Sequence, residues 1–411
     1  MAELVRAELR NADDAGALAA RLAAAVPAAA RPTYARERIL YAAAAAVERD
    51  AEGFARLIVD ETGKPLKEAR REGADAVSIL RASAAEARKI GGEVLPLDLE
   101  PGFEGRYAVV RRVARGPALF ASSHHFPLAL PAGRIGAAVA VGLPFALMSD
   151  PRAPRTAARL VETLLSAGWP AEAAVLASGD ASVRELLSSD ERIAIRDVAI
   201  PAGAAGILVG SDADLPWAAA RCAWSACVDG GQAGVSVLRI FVEKSAHADF
   251  RKLLVSNVRE LKAGDPADEG TDVGPMIDEA SAARLEEALK EAVASGAKLW
   301  AGGARTGARV PPTLIENVRA GASLLGAGIF GPVAVLEAVD SRERALDRIA
   351  DGADGRKAGI FTNDLAFSRR AEDRLPSGAV VLNDVPAARD DIRAMVASYT
   401  AGRTEIFGGN K

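Results

Sequence analysis

The sequence predicts an α/β protein of two or three domains, and three features point there. At 411 residues the chain is long enough for several well-buried cores. Half of its residues are hydrophobic and about a quarter charged, the balance of an ordinary globular protein. Val228-Asp-Gly-Gly-Gln-Ala-Gly-Val-Ser-Val-Leu-Arg-Ile-Phe-Val242 joins an Ala/Trp-rich helical run to an apolar strand through a Gly-Gly turn. Such a helix–turn–strand junction puts loop residues at the edge of a parallel sheet, where α/β enzymes often place a nucleophile.

Taken in order, residues 1–33 are Ala-rich with Pro27 and Pro32 and read as a helix plus a connecting segment. Tyr34 to Asp60 carries Ile39, Ala43, Val47, Phe54, Leu57 and Ile58 at helical spacing. Thr62-Gly63-Lys64-Pro65 breaks that run, Pro65 suits the first turn of the next helix, and Gly91-Gly92 ends it. Tyr107 to Arg115 is β-rich and Arg-interrupted, as a solvated or edge strand would be. Pro117 to Leu128 is a buried strand ending in a polar turn. A helix over Pro131–Val141, a strand over Phe145–Asp150 and a helix from Pro154 follow. Ala174–Gly179 is strand-like, Val183–Leu187 makes a short helix, and Ile193–Pro201 runs almost straight into Gly206–Gly210. Too few residues remain there for a helical crossover between parallel strands. Asp214 is a helix N-cap, Val237–Val242 a strand, and Ala246–Lys262 a helix with Leu254, Val258 and Leu261 on one face. Leu285, Ala288, Leu289, Ala292 and Val293 form a second helical stripe, stopped by Gly296. Lys298–Trp300, Val333–Val339, Gly359–Thr362 and Ala379–Leu382 are further strands.

Several partner classes are disfavoured. A net charge of −4 gives no general attraction to nucleic acid or anionic membrane. The longest apolar run, Ile135–Met148, contains Gly136, Gly142 and Pro144 and is shorter than a membrane span. Met1 to Arg10 is charged throughout and lacks the apolar stretch of a signal peptide. Two cysteines, Cys222 and Cys227, suggest no disulfide framework, and three histidines (His124, His125, His247) argue against a multi-histidine metal site. A cytoplasmic protein is expected.

Gly231-Gln232-Ala233-Gly234, followed by Arg239, resembles the Gly-Gln-x-Cys loop of the aldehyde dehydrogenase superfamily. Further segments carry the same resemblance. Asp60–Leu66 is similar to the family's Glu-x-Gly-Lys-Pro segment, and Ser123-His124-His125-Phe126-Pro127 to its Pro-Trp-Asn-Phe-Pro turn. Ser211–Leu215 matches Asp-Ala-Asp-Leu, and Gly264-Asp265-Pro266 and Thr271–Pro275 resemble its linking loops. Gly326-Ala-Gly-Ile-Phe-Gly331 has the spacing of a dinucleotide fingerprint, but Pro332 and a strand follow instead of a helix. It resembles the family's Glu-Glu-Ile-Phe-Gly-Pro loop.

The resemblance implies two Rossmann-like α/β domains with a β oligomerisation arm. Residues 1–98 and 116–210 would form a degenerate cofactor domain, 99–115 and 386–411 the arm and tail, and 211–385 the catalytic-type domain. It also assigns positions. The nucleophilic thiol corresponds to Gly234, the general base to Ile200, and the amide that stabilises the oxyanion to His125. Imidazole can donate one hydrogen bond, so His125 is either an oxyanion donor or a turn histidine satisfied by backbone or water. In the cofactor site Phe330 would contact nicotinamide, Gly328 replaces the glutamate on the nicotinamide ribose, and Met148 replaces the lysine on the adenosine ribose. The nearby Asp150 carboxylate would repel a phosphorylated ribose, and the helix whose N-terminus accepts the pyrophosphate is deleted. Lys64 reads as a solvated turn residue, and Cys227 as either a displaced nucleophile or a buried free thiol.

NAD or NADP is therefore implied by resemblance, while the contacts that would hold it are depleted. The favoured reading is a catalytically silent homologue with a structural, regulatory or partner-binding role. It would assemble with itself as a dimer or tetramer, or with an active relative. The alternatives are an NAD(P)-dependent aldehyde oxidoreductase with a cysteine-independent site beside His125, Gln232 and Ser236, or a small-ligand-binding protein using the vacated cleft.

Overall fold

Short apolar strands alternating with one-sided helices build two parallel sheets and a small antiparallel one. The computed structural model describes residues 3–198, 205–233, 236–326, 328–351, 357–375, 379–386 and 391–408. In chain order they form β1 (Val5–Glu8), α1 (Ala12–Ala24), α2 (Val26–Ala29), α3 (Thr33–Arg49), α4 (Ala51–Thr62) and α5 (Leu66–Ala87). Then come β2 (Gly92–Pro96), β3 (Tyr107–Ala114), β4 (Ala118–Ala121), α6 (Ala129–Val141), β5 (Phe145–Met148) and α7 (Pro154–Ser166). β6 (Ala174–Ser178), α8 (Ala181–Ser189), β7 (Ile195–Asp197), β8 (Ala205–Val209), α9 (Leu215–Cys227), β9 (Val237–Glu243) and α10 (Lys244–Glu260) follow. The remainder is α11 (Glu279–Ala294), β10 (Lys298–Ala301), β11 (Thr313–Glu316), β12 (Val333–Val339), α12 (Arg342–Ala350), β13 (Lys357–Phe361), α13 (Leu365–Arg374), β14 (Ala379–Leu382), α14 (Ile392–Ser398) and β15 (Thr400–Phe407). No helix among the described residues is long and apolar enough to cross a membrane.

The chain divides into two compact units, the first comprising residues 1–61, 70–200 and 390–411, the second 62–69 and 201–389. In the first, a five-stranded sheet runs β1-β6-β5-β4-β7 with every pair parallel. β4 and β5 are buried along their whole length, as parallel strands covered by helices on both faces must be. Fully burying Phe120 of β4 alone contributes roughly 2 kcal/mol. The arm is a separate antiparallel sheet, β15-β3-β2. In the second unit a seven-stranded sheet runs β10-β11-β12-β9-β8-β13-β14, antiparallel only at β10–β11.

Several expectations change. The Ala-rich start contains β1, whose four residues alternate between half-buried and exposed and pair with β6. The run from Tyr34 to Asp60 is two helices, because the chain leaves helical geometry at Asp50, whose carboxylate pairs with Arg159 of α7. β3 is the middle strand of the arm and not an edge. Its Arg112 is not simply solvated: Nε donates to Thr400 Oγ1 at 2.8 Å, and Arg111 pairs with Glu405. The tail supplies the edge strand β15, preceded by the unexpected α14; β2 and β11 also went unread. Val293 is 44% exposed, so the inward stripe of α11 is Leu285, Ala288, Leu289 and Ala292. Finally, β7 and β8 lie in different sheets, so no crossover helix is required between them by strand pairing.

Buried carboxylates hold helix starts in place. Glu61, at the end of α4, has a side chain only 3% exposed. It accepts from the main-chain N–H groups of Arg155 (2.6 Å) and Thr156 (2.9 Å) and from Thr156 Oγ1 (2.6 Å). These are donors that the first turn of α7 cannot satisfy within the helix. Glu61→Gln keeps the shape but halves the acceptor capacity and removes the charge. It is expected to cost about 1–3 kcal/mol, read as a lowered urea midpoint with an unchanged slope.

Candidate functional site

In the first unit the polar turn after β4 is fastened from three directions. Beyond the last paired residues, Ala121 and Met148, the two strands stay zipped: Ser122 N–H donates to Met148 O, and Asp150 N–H donates to Ser122 Oγ, both at 2.8 Å. Asp150 Oδ2 then accepts from His124 N–H (3.2 Å) and lies 3.0 Å from His124 Nδ1. From α5, the buried Glu72 accepts from Leu128 N–H (2.8 Å) and Ala129 N–H (3.1 Å), capping α6. The turn is thereby rigid before any ligand is considered.

Asp150 is the hub. Arg152 donates to it from its main-chain N–H (3.0 Å), Nε (2.9 Å) and a terminal guanidinium nitrogen (2.9 Å). Burial alone would raise its pKa, but the donors from His124 and Arg152 outweigh that and hold the carboxyl well below the usual carboxylate range. Burial pushes His124 the other way, below ordinary histidine, against the raising influence of Asp150. Burial thus favours the neutral imidazole, and the ionised carboxylate 3.0 Å from Nδ1 favours the tautomer with its proton there. The expectation that Asp150 repels an anion is corrected: its charge is matched by Arg152. Of the two turn histidines, His124 is the better-defined. His125 is half-buried, with its ring centroid 3.8 Å from that of His124 and its N–H donating to Ser123 Oγ at 3.3 Å.

In the second unit the Gly-Gln loop is locked by its own backbone. Asp229, Gly230 and Gly231 all have positive φ (53°, 63° and 66°). A Cβ on Gly231 would lie 1.9 Å from Gly331 O, and Gly331 N–H donates to Gly231 O at 3.1 Å. Only glycine permits that approach. The non-glycine Asp229 is held by Glu68, which accepts from its N–H at 3.0 Å, and by Lys64, whose Nζ is 3.9 Å from its carboxylate. The reading of Lys64 as solvated is corrected, since its side chain is 2% exposed. Gln232 is structural: Nε2 donates to Asp229 O (3.0 Å) and Oε1 accepts from Ile277 N–H (2.9 Å). Ser236 is buried, and its Oγ has no hydrogen-bond partner among the described residues.

Gly234 and Ile200, the positions assigned to the nucleophile and general base, lie outside the described residues. Cys227 and Cys222 sit on the buried face of α9, and burial pushes both thiols far up, so Cys227 does not fit a displaced nucleophile. Met148 belongs to the core with Leu9, Val175 and Ala177, and it offers no donor at the ribose position. Gly328 is exposed with φ of 90° and nothing within 4 Å of a built Cβ, while Phe330 is half-buried. These residues do not fit the contacts through which the resemblance would hold NAD or NADP. Sequence reading missed the pairing of Asp150 with Arg152, and it missed the buried acceptors Glu61 and Glu72. The Asp-x-Arg spacing directly after an apolar strand was the available signal for the pairing.

The model of the aldehyde dehydrogenase family matches residues 1–197 and 201–396. A 3-sulfolactaldehyde dehydrogenase of Priestia aryabhattai is 32% identical over 379 residues, covering 87% of this chain and 80% of its own. Aspartate-semialdehyde dehydrogenase 1 of Pseudomonas canavaninivorans is 32% identical over 411 residues, covering 95% and 86%. Among solved structures, aldehyde dehydrogenase 21 from Physcomitrella patens, in complex with the reaction product succinate, is 28% identical. It superposes with a TM-score of 0.91 over 97% of this chain and 91% of that one.

Two outcomes follow from this geometry. Lys64→Met leaves the buried Asp229 carboxylate without its cation and is expected to cost about 3 kcal/mol in urea denaturation. Adding Asp229→Asn should recover part of that loss. Because the pKa of His124 is depressed in the fold, the unfolded chain takes up that proton first as pH falls. Stability present above the ordinary imidazole range is lost below it. The urea midpoint should therefore drop between about pH 7.5 and 5, and drop less in His124→Gln. The contribution of Asp150 persists until well below the ordinary carboxylate range.

Proposed function

The chain belongs to the aldehyde dehydrogenase family, and we propose that within it this member does not carry out thiol-dependent aldehyde oxidation but works as a structural or regulatory, partner-binding subunit. The observation that carries this reading is the fate of the thiols. The nucleophile position is Gly234, and the only two cysteines of the sequence are buried in α9 with their ionisation suppressed. A thiol held protonated is neither nucleophile nor metal ligand. Ile200 at the base position, and Met148 and Gly328 at the cofactor positions, support the same reading from independent parts of the chain. His125 remains as a donor at the oxyanion position, without a nucleophile to generate the oxyanion.

A role in assembly is supported by the arm. Val94, Leu99, Tyr107 and Ile406 are exposed apolar residues in or beside β2, β3 and β15, and Tyr107 stacks on Phe407 at 4.9 Å. Exposed apolar residues concentrated on one small sheet mark an association surface. The occupant is a second copy of this chain or an active relative.

The test combines turnover and assembly on the full-length purified chain. With NAD or NADP and short aldehydes, nucleotide reduction should not exceed that of a heat-denatured control. Gly234→Cys alone should not restore it, because the base and ribose contacts are missing as well. Sedimentation velocity should show an oligomer that Val94→Asp with Ile406→Asp shifts toward monomer. Aldehyde-dependent nucleotide reduction by the unmodified chain would refute the silent reading.

A further inference from the structure

The first turn of α3 gathers positive charge to which neither the positions carried over from the family nor the names of the relatives give a role. α3 opens on Pro32, which offers no side-chain cap, and its first turn carries no acidic residue. Among the described residues nothing accepts from the N–H groups of Thr33 and Tyr34. Those donors stand at the positive end of a 17-residue helix. By itself an open helix start is ordinary, because water can serve it.

The second observation is Arg36. Helical side chains lean toward the N-terminus, and this guanidinium reaches back to the first turn, where Nη2 donates to Thr33 Oγ1 at 3.0 Å. Arg36 keeps only 9% of its surface exposed, yet no carboxylate among the described residues pairs with it. Burial alone acts on its pKa, pushing it down, and no neighbouring acid opposes that. Arginine stays protonated all the same. Its Nη1 donates to Ala140 O at 2.6 Å, close to the C-terminus of α6, and its Nε has no partner among the described residues. A helix C-terminus supplies about half an elementary charge, so part of this buried cation is left without a counter-charge. The neighbouring residues do not provide it. Arg31 and Arg38 are exposed cations, and Glu37 is taken by Arg88 at 2.6 Å.

We propose that the first turn of α3 binds the phosphate or sulfate group of a small soluble molecule. Thr33 and Tyr34 are exposed, so the anion reaches their N–H groups from solvent and needs no cavity. The bond from Arg36 uses a lone pair of Thr33 Oγ1 and leaves the hydroxyl proton free to donate to the ligand. Two N–H groups and one O–H, backed by a guanidinium, suit an anion that presents several oxygens. The chain's net charge of −4 works against a bed of anionic lipid, which leaves the dissolved ester as the source of that group. α3 is not the helix to which the resemblance assigned the cofactor's pyrophosphate. Neither a thiol nor a nicotinamide takes part, so the site stands or falls independently of the silent-dehydrogenase reading.

The probe is inorganic phosphate, titrated into the full-length chain at constant ionic strength. Phosphate salts stabilise most proteins without binding them, so occupancy is read directly from the phosphorus-31 line width. Saturable broadening is expected, reversed by sulfate and not by chloride. Thr33→Asp puts a carboxylate on the exposed first turn beside Arg36, and it should weaken phosphate binding about tenfold while raising the urea midpoint. Arg36→Gln should weaken binding at least as much. That variant also loses the bond to Ala140 O, so where it fails to fold Thr33→Asp decides. Three results would each overturn the proposal: no saturable broadening, equal affinity in the unmodified chain and Thr33→Asp, or capture by phosphatidylglycerol vesicles with no response to inorganic phosphate.

Discussion

A buried or half-buried carboxylate that accepts from main-chain N–H groups recurs where this fold holds a loop. Glu61 fastens the start of α7, Glu72 the start of α6, Asp150 the turn after β4, and Glu68 the left-handed residue Asp229. The constraint behind the pattern is elementary. Parallel strands end at loops or helix N-termini whose N–H groups have no partner within the element, and such groups cannot be left unpaired inside a protein. A carboxylate supplies two oxygens and a negative charge where several donors converge. The cost of burying that charge is offset by these hydrogen bonds, and in the case of Asp150 a guanidinium cancels the charge as well.

The same logic separates what has been retained from what has been lost. The Gly-Gln loop keeps its three left-handed residues, its close approach to Gly331, and a glutamine whose amide is spent on backbone partners. Those contacts are geometric and would be broken by almost any substitution at Gly231, since a Cβ there would sit far inside van der Waals contact with the Gly331 carbonyl oxygen. The chemical positions of the family are different in kind. A thiol, a carboxylate base or a ribose-binding glutamate contributes to turnover while contributing little to packing, and Gly328, exposed with nothing within 4 Å of a built Cβ, is such a position. Fold and chemistry are held by different residues.

Sequence reading followed this division. Strands and helices inside the sheets were legible because apolar spacing is set by burial, and burial is what the sheets impose. The loops with glycine at fixed spacing were legible as family segments. What escaped were short elements: β1, β2 and β11 are each four or five residues long, too short for periodicity to separate them from neighbouring helix or loop. Lys64 escaped for another reason. A lysine in a polar turn reads as solvated, and only the tertiary placement of Asp229 turns it into a buried cation. The turn histidines were recognised, but attention fell on His125 through its family position. The partner that defines His124 lies 26 residues away across a strand pair. No local pattern joins them.

That long-range pairing fixes the imidazole as well as the backbone of the turn. An imidazole held by a buried carboxylate is costly to maintain without use: it fixes a tautomer, suppresses protonation and obliges Arg152 to neutralise Asp150. The Asp150 carboxylate serves two main-chain N–H groups, of His124 and Arg152, so its part in the arrangement is structural in its own right. The contacts of the ring pull in opposite directions: Asp150 favours the imidazolium, burial opposes it more strongly, and the carboxylate fixes the orientation of the ring. The contrast with Lys64 and Asp229 is instructive. There the charged pair braces a left-handed backbone that glycine-like geometry demands, and packing is sufficient reason for it. At His124 the backbone is already secured by Ser122, Glu72 and the Asp150 carboxylate, and the imidazole side chain is surplus to that task.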